Sequence, residues 1–318
     1  MSKKTYFITQ LENGQTLEGE LFGLATIKRA NDRNGKPYLD LELVDKTGSI
    51  KAKVWSDSLS KIDKSVLTEG TVINVNGLVG EFNGNAQLTV YSISKTEEFD
   101  LSDFLQSTKH EIDELWEQVE DRVDDIADAE LKKLLEKLLQ TYEEEMRKSP
   151  AARGIHHNYV GGLLEHVVEM LKMSDSVVEL YPEADPSLVT AGIIMHDIGK
   201  IKELRIDGFQ ITYSKVGKLI GHIPLGLEIL NNLDAKMLSE EIRLQLAHII
   251  LSHHFILEFG SPVTPKTIEA MIVSKLDDLS SKVRIVQRVL ESNQDNKNEF
   301  SAREFSIDSE VYLGNRDI

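Results

Sequence analysis

The spacing of apolar residues changes between residues 95 and 100 of this chain, and that change limits the folds open to it. Up to residue 95, apolar and polar residues alternate, as in TLEGELFGLATIKRA, PYLDLELVD and SIKAKVWSD. A period of two places every second side chain on one face of a strand. From about residue 100 the apolar residues recur at i, i+3, i+4 and i+7, the stripe of an amphipathic helix. The pattern therefore describes a β module followed by an α module, and 318 residues are enough for each to bury a core.

Within the first module, NGKP and DKTG supply turn signals between the strands. A short stretch (roughly 56–68) follows, and then TVINVNGLVGEF and AQLTVYSIS joined around NGN. Five short strands with a helical insert after the third make the layout of an OB-fold barrel. OB-folds bind single-stranded nucleic acid with stacking aromatic side chains and basic residues that meet phosphate. The residues of these types here are Lys28, Arg29, Arg33, Lys36, Tyr38, Lys51, Lys53, Trp55 and Phe82. An alternative stays open at this point: Trp55 and Phe82 in the barrel core, with the lysines only solvating its surface.

The net charge of −17 argues at first sight against a nucleic-acid partner. Its distribution reverses that inference. Residues 1–95 carry 12 Lys/Arg against 11 Asp/Glu, whereas residues 96–149 carry 7 against 18. The acidity is thus concentrated in the segment containing LWEQVEDRV and LKKLLEKLLQTYEEEM, read as acidic connector helices that Pro150 ends. Residues 150–293 carry further helical stripes and one β-hairpin, ELRIDGFQITYS, with Asp207-Gly208 at its turn. The polar tail 294–318 has no clear pattern. The fold class read from this order is multidomain α+β: a five-stranded barrel in 1–95, a helical connector in 96–149 and an all-α bundle in 150–293 with a small hairpin insertion.

With no cysteine, disulfides, thiolate nucleophiles and Cys-ligated metals are excluded. The start, MSKKTYFITQ, has no apolar stretch of signal-peptide type, and no apolar run approaches the ~20 residues of a membrane span. A cytoplasmic protein without a membrane partner is expected.

The chemistry then falls to nitrogen and oxygen ligands. Of nine histidines, five form a pattern with two aspartates: His166 in GGLLEH, the pair His196-Asp197 in MHDIGK, His222 in GHIP, the pair His253-His254 in LSHH, and Asp277 in KLDDL. Imidazole and carboxylate suit Mn, Fe or Zn. A set this large exceeds the needs of one tetrahedral zinc and implies two ions or an octahedral one. Two ions ~3.5–4 Å apart are a device of phosphoryl transfer. A lone histidine on an apolar helix face is more often a hydrogen-bonded core residue, and His248, outside any motif, is read that way. An adjacent His-Asp after AGIIM has no place there without a partner, and Gly199 behind it is read as relaxing the backbone.

The ordered set H…HD…D formed by His166, His196-Asp197 and Asp277 resembles the HD phosphohydrolase superfamily, an all-helical metal-dependent fold. The extra His222 and His253-His254 resemble its dinuclear branch, which includes HD-GYP cyclic-dinucleotide phosphodiesterases. GGLLEH, MHDIGK, LIGHI and LSHH…EFGSP behind an OB-fold are together similar to the YhaM family of bacterial 3′→5′ exoribonucleases, over about Thr16 to Val289. The resemblance implies an exonuclease that trims single-stranded RNA, with single-stranded DNA as a second polymer, and releases nucleoside 5′-monophosphates. It implies two Mn²⁺, with Fe, Co or Mg as alternatives. His166, His196, Asp197 and Asp277 would hold one ion, with Asp197 as bridge, and His222, His253 and His254 would complete the second site. Lys200 would contact the scissile phosphate and act with Asp197 in catalysis. His156, His157 and Tyr159 are candidate substrate contacts. Two positions depart from the family pattern: Phe255 stands where relatives usually have Gly, and Ser280 where a second Asp is usual.

Two other readings remain open: an HD-type phosphodiesterase of small nucleotides, such as cyclic dinucleotides or nucleoside polyphosphates, and a nucleic-acid-binding regulator with an inactive HD domain. The apolar faces of the acidic helices suggest a homo-oligomer interface.

Overall fold

The computed structural model describes residues 4–82, 85–105, 107–152, 159–233, 237–293 and 298–314. These divide into two compact units, one of Met1–Ser107 with Ile206–Ile211, the other of Thr108–Arg205 with Thr212–Ile318.

The first unit is a closed barrel of β1 (Thr16–Asn31), β2 (Pro37–Asp45), β3 (Gly48–Val54), β4 (Thr71–Phe82) and β5 (Asn85–Lys95), in the order β1-β2-β3-β5-β4. β1 closes it by pairing antiparallel with β4 through its first half and with β2 through its second. Register shifts at Leu17/Glu20 and Leu24/Thr26 allow that bend, the first at Gly19 with φ +65°. The alternation in the sequence becomes alternation in burial: Leu39, Leu41 and Leu43 of β2 and Ile50, Ala52 and Val54 of β3 point inward. The insert between β3 and β4 forms the one-turn helix α1 (Ser56–Leu59) and a 3-10 turn at Lys64–Val66. An N-terminal strap is tied across the barrel: Asp45 accepts from Ile8 N–H at 2.8 Å, and the buried Lys4 Nζ donates to the Leu21 carbonyl at 2.6 Å and pairs with Asp45 at 3.2 Å. Phe209 belongs to this unit and packs with Leu21, Val72 and Phe104. Gly23 makes room for it, since a Cβ there would lie 2.8 Å from the Phe209 ring.

The second unit is helical: α2 (Ile112–Asp124), α3 (Ala129–Lys148), α4 (Gly162–Leu180), α5 (Pro186–Met195), α6 (Lys200–Glu203), α7 (Lys215–Ile220), α8 (His222–Asn232), α9 (Glu240–Ser252) and α10 (Ile268–Ser292). The hairpin strands β6 (Leu204–Asp207) and β7 (Gln210–Tyr213) leave Gly208-Phe209 as the turn, one residue later than the sequence suggested, with Gly208 at φ +60°. Caps follow the chemistry of the sequence: Asp128, Asp185, Ser239 and Thr267 each accept from a first-turn backbone N–H. Two expectations change here. The apolar faces of α2 and α3 (Trp116, Val119, Leu131, Leu134, Leu135, Leu138) are buried in the unit's own core, so they are not left over for an oligomer interface. The tail is also not patternless, because Phe300 bridges to Tyr312 and Glu304 to Ser309. Among the described residues no helix is long and apolar enough to cross a membrane.

Candidate functional site

Five helices bring the histidines and aspartates together. α4 carries His166 on its buried face. α5 starts at Pro186, where the missing N–H costs nothing, and ends at Met195; His196 still bonds back through its N–H to the Gly192 carbonyl at 2.8 Å. Asp197 follows in the turn before α6. An apolar run that reads as one helix, GKLIGHIPLG, is broken at Gly221 with φ +81°, and the break makes His222 the first residue of α8. His253 caps α9, and Asp277 comes from α10.

Gly199 has ordinary helical angles, φ −61° and ψ −17°, so it does not relax the backbone. Its role is close approach: a Cβ there would lie 1.9 Å from the His222 carbonyl oxygen and 2.6 Å from Gly226 N. The absent side chain is what lets α8 bring His222 up to Asp197.

Nε2 of His166 lies 3.3 Å from Nε2 of His196 and 3.3 Å from Oδ1 of Asp277. Nε2 of His196 lies 3.3 Å from Oδ2 of Asp197. On the other side of the same carboxylate, Oδ1 is 3.5 Å from Nε2 of both His222 and His253. The His254 ring packs 4.2 Å from that of His253 and 5.1 Å from that of His222. Two ligand groups result, His166/His196/Asp197/Asp277 and Asp197/His222/His253/His254, with all atoms of each within 4.8 Å of one another. Asp197 is common to both.

The donor set passes a physical test for divalent ions. Among the described residues, Asp197 Oδ1, His222 Nε2 and His253 Nε2 are buried and have no hydrogen-bond partner. Three polar atoms aimed at one point without partners are costly unless something binds there. Separations of 3.5 Å are long for hydrogen bonds. They suit ligands that share an ion, since bonds of about 2.1 Å put neighbouring ligand atoms roughly 3–3.5 Å apart.

The electrostatics agree. Burial alone would raise the Asp197 carboxyl, but Lys200 and His196 outweigh it and hold it well below the carboxylate range. Burial opposes the charge on Lys200 as well, yet Asp197 and Asp277 keep its ammonium above the ordinary lysine value. Its Nζ lies 2.5 Å from Asp197 Oδ2. Burial pushes His253 below the usual histidine range, toward the neutral form that a ligand requires. The outer ring nitrogens are fixed too: Nδ1 of His196 and of His253 each lie 2.8 Å from a carbonyl, those of Ile193 and Ile250, and Nδ1 of His222 lies 3.2 Å from Glu203 Oε1. Glu203 was missed in the sequence, although an acidic residue three positions after Lys200 on a buried turn was a signal. His248 accepts from Lys266 N–H at 2.8 Å. Tyr159 donates to Glu165 Oε2 at 2.9 Å, and burial together with Glu165 raises its phenol far above the usual value. His156 and His157 lie outside the described residues. Phe255 holds φ +64°, a backbone conformation that favours glycine, and its ring lies 3.9 Å beneath Lys275 Nζ.

On the barrel, Trp55 and Phe82 are surface residues, 40% and 57% exposed, and not core. The Tyr38 and Trp55 rings stand 5.1 Å apart. Lys53 Nζ lies 5.1 Å from the Tyr38 ring, 5.3 Å from Trp55 and 5.7 Å from Phe82. Arg29 and Tyr38 line a cavity of about 570 Å³ with Lys64, a residue the sequence reading passed over. Lys51 and Phe82 line another of about 410 Å³, although Lys51 also pairs with Glu42 at 3.2 Å. Lys28, Arg33 and Lys36 are exposed at the end of β1 and in the loop after it.

Comparison with known proteins follows the same division. Residues 163–282 match the HD domain family, and residues 16–96 an OB-fold nucleic acid binding domain. A helicase family, TraI_2, matches residues 100–181, overlapping the HD match. In solved structures, the second OB-fold domain of replication protein A from Methanococcus maripaludis aligns at 21% identity and TM-score 0.24, over 29% of this chain and 95% of that one. The 3′-5′ exoribonuclease YhaM of Oceanobacillus iheyensis is 36% identical over 313 residues, 95% of this chain and 97% of the relative. That of Shouchella clausii is 35% identical over 303 residues, 94% of this chain and 93% of the relative. With identity at this level over almost the full length of both sequences, and the HD and OB-fold matches in the same order, the chain belongs to the YhaM family of 3′-5′ exoribonucleases.

Proposed function

We propose that this protein is a divalent-metal-dependent 3′→5′ exoribonuclease that removes nucleoside 5′-monophosphates from single-stranded RNA. The observation that carries the reading is the trio of buried, unpartnered atoms around Asp197, which gives the HD unit a built place for cations. His166, His196, Asp197 and Asp277 would hold one ion; Asp197, His222, His253 and His254 would hold the other. Mn²⁺ suits this borderline N/O set. When bound, the two ions would activate a water nucleophile and neutralise charge on the phosphate oxygens.

The chain's own residues do the rest. Asp197 presents one oxygen to each ligand group, so it fixes their spacing. Lys200, kept protonated, is a second positive charge beside the same point and stabilises the phosphorane-like charge of in-line displacement. Water oxygen ends on the phosphorus of the released nucleotide, the P–O3′ bond breaks, and the new 3′ oxygen takes a proton. The rings of Tyr38, Trp55 and Phe82 around Lys53 form the stacking face of the barrel, and every base offers a π-face to such a platform. The net negative charge is no obstacle, because bound cations reverse the sign of the field where phosphate must sit.

The test is digestion of single-stranded RNA labelled at either end, with Mn²⁺ and with EDTA. The expected result is immediate release of labelled mononucleotide from the 3′ label and a descending ladder from the 5′ label. The same enzyme is offered single-stranded DNA, cyclic dinucleotides and nucleoside polyphosphates; faster turnover of a small nucleotide than of RNA would overturn the assignment. No hydrolysis of any of them would return the chain to the class of binding proteins.

A further inference from the structure

His196 and His253 have an unambiguous hydrogen-bonding arrangement. Each ring's Nδ1 faces a backbone carbonyl, which can only accept, so Nδ1 carries a proton and Nε2 is the nitrogen turned inward. His166 is different. Its Nδ1 lies 3.0 Å from the hydroxyl of Ser280, a group able either to donate or to accept. Taken alone, that contact leaves the His166 tautomer undecided.

The next link decides it. Ser280 Oγ is also 3.0 Å from Glu169 Oε2, and a carboxylate only accepts. Glu169 is held as an anion by Arg284, whose guanidinium also reaches Glu165 Oε1 at 2.6 Å. The single hydroxyl proton therefore goes to Glu169, and the oxygen's lone pair accepts from His166 Nδ1–H. Nε2 is then the nitrogen turned inward, toward Asp277 Oδ1 and the His196 ring, and the one presented to an ion. Ser280 is only 4% exposed and His166 is fully buried, so water does not compete for the bond between them.

We propose that Ser280, backed by Glu169 and Arg284, is a positioning residue that sets the tautomer and ring orientation of His166 for a divalent ion. The chain thus orients one ligand through a hydroxyl relay to a carboxylate, where its neighbours use backbone carbonyls. The inference rests on the metal centre proposed above. Partners of this kind typically change metal affinity 10–100-fold when removed.

The experiment is a titration of the full-length, metal-stripped protein with Mn²⁺, counting free ion by its EPR signal, in wild type and Ser280→Ala. Alongside it, the ¹⁵N shifts of the metal-free His166 ring are recorded, assigned by their loss in His166→Gln. The expected result is two ions for wild type, one of them weakened about 10–100-fold in Ser280→Ala with the other unchanged. The wild-type ring should show a protonated Nδ1, and the variant a loss of proton occupancy at Nδ1. Wild-type affinities and an unchanged ring in Ser280→Ala would overturn the proposal. Equal loss of both ions with a lowered unfolding midpoint of the metal-free variant would also overturn it, since that is the mark of a merely structural serine. A wild type that takes up no Mn²⁺ would remove the metal centre itself, and this inference with it.

Discussion

Lys200 Nζ lies 2.5 Å from Oδ2 of Asp197, while the other oxygen of that carboxylate has no hydrogen-bond partner among the described residues. One buried carboxylate is therefore half neutralised from within the chain and half left open. A buried charge with one partner removed is expensive, typically by about 3–5 kcal/mol. The pair thus makes the metal-free fold tolerable while keeping an anion in place for cations.

Lys200→Met should expose that balance. Without the ammonium, Asp197 is buried and uncompensated, and the metal-free variant should lose roughly 3 kcal/mol or more of stability. Mn²⁺ should restore a larger share of the unfolding midpoint in the variant than it adds to wild type, because the ions then supply the missing charge. Hydrolysis of RNA should fall about 100-fold or more even at saturating Mn²⁺, as when a donor to the transition-state charge is deleted. Thermal unfolding with and without Mn²⁺, with rates measured beside it, checks both; equal Mn²⁺ effects on the two proteins would contradict the balance.

Gly199→Ala tests how the second ligand group is assembled. A methyl group there would meet the His222 carbonyl and Gly226 N, both backbone, so α8 has to move as a body. Overpacking of this kind costs about 1–3 kcal/mol. The specific expectation is a drop in Mn²⁺ stoichiometry from two to one, since His222 leaves while His166, His196 and Asp277 do not. Two ions at wild-type affinity would show that α8 does not set the site.

How much of this was readable beforehand follows from the reach of each signal. Period-two alternation in PYLDLELVD translated directly into buried Leu39, Leu41 and Leu43, because a strand with one buried face has no other way to place them. The ligand pair His196-Asp197 was readable for the opposite reason: two polar groups directly behind AGIIM have no place there without a partner. The break at Gly221 was hidden, since apolar spacing runs through it and only the left-handed φ reveals it. Ser280 was visible in the sequence only as a departure from a family pattern. Its meaning depends on Glu169, 111 residues away, and no local pattern carries information over that distance.

Acid should destabilise the metal-free protein through its aspartates. Two of the histidines around Asp197 work against each other: Asp197 and Asp277 outweigh burial to raise His196, which adds stability as the pH falls toward about 6.5, whereas burial lowers His253, which removes it below about 6.5. Asp197 and Asp277 act together. Burial alone would raise both, but Lys200 and His196 around the first, and His166 and His196 around the second, hold them below the ordinary carboxylate value of about 4. Depressed carboxylates contribute stability that is complete above that value and is lost as the pH falls through their folded-state values. Each can add a slope of up to about 1.4 kcal/mol per pH unit below pH 4. Urea unfolding of EDTA-treated protein from about pH 5 down to about pH 2 should show the slope, and Asp277→Asn should flatten it by about one proton.

The barrel surface separates two contributions that one affinity would merge. Trp55 is exposed and stacked near Tyr38, so Trp55→Ala removes a base platform and no charge. Loss of one stacked base is worth about 1–3 kcal/mol, roughly 5- to 150-fold in Kd for single-stranded RNA. Because no phosphate contact is lost, the slope of log Kd against log salt should stay at its wild-type value. Lys53→Met removes a cation held among three rings. If that cation meets phosphate, its loss should weaken binding and reduce the salt slope by about 0.7, the value for one contact on a single strand. Fluorescence anisotropy of labelled RNA in EDTA, at several salt concentrations, reads both quantities without turnover. An unchanged slope in Lys53→Met would assign that lysine to holding the aromatic platform together, and the phosphate contacts would then fall to Arg29 and Lys64 at the adjoining cavity.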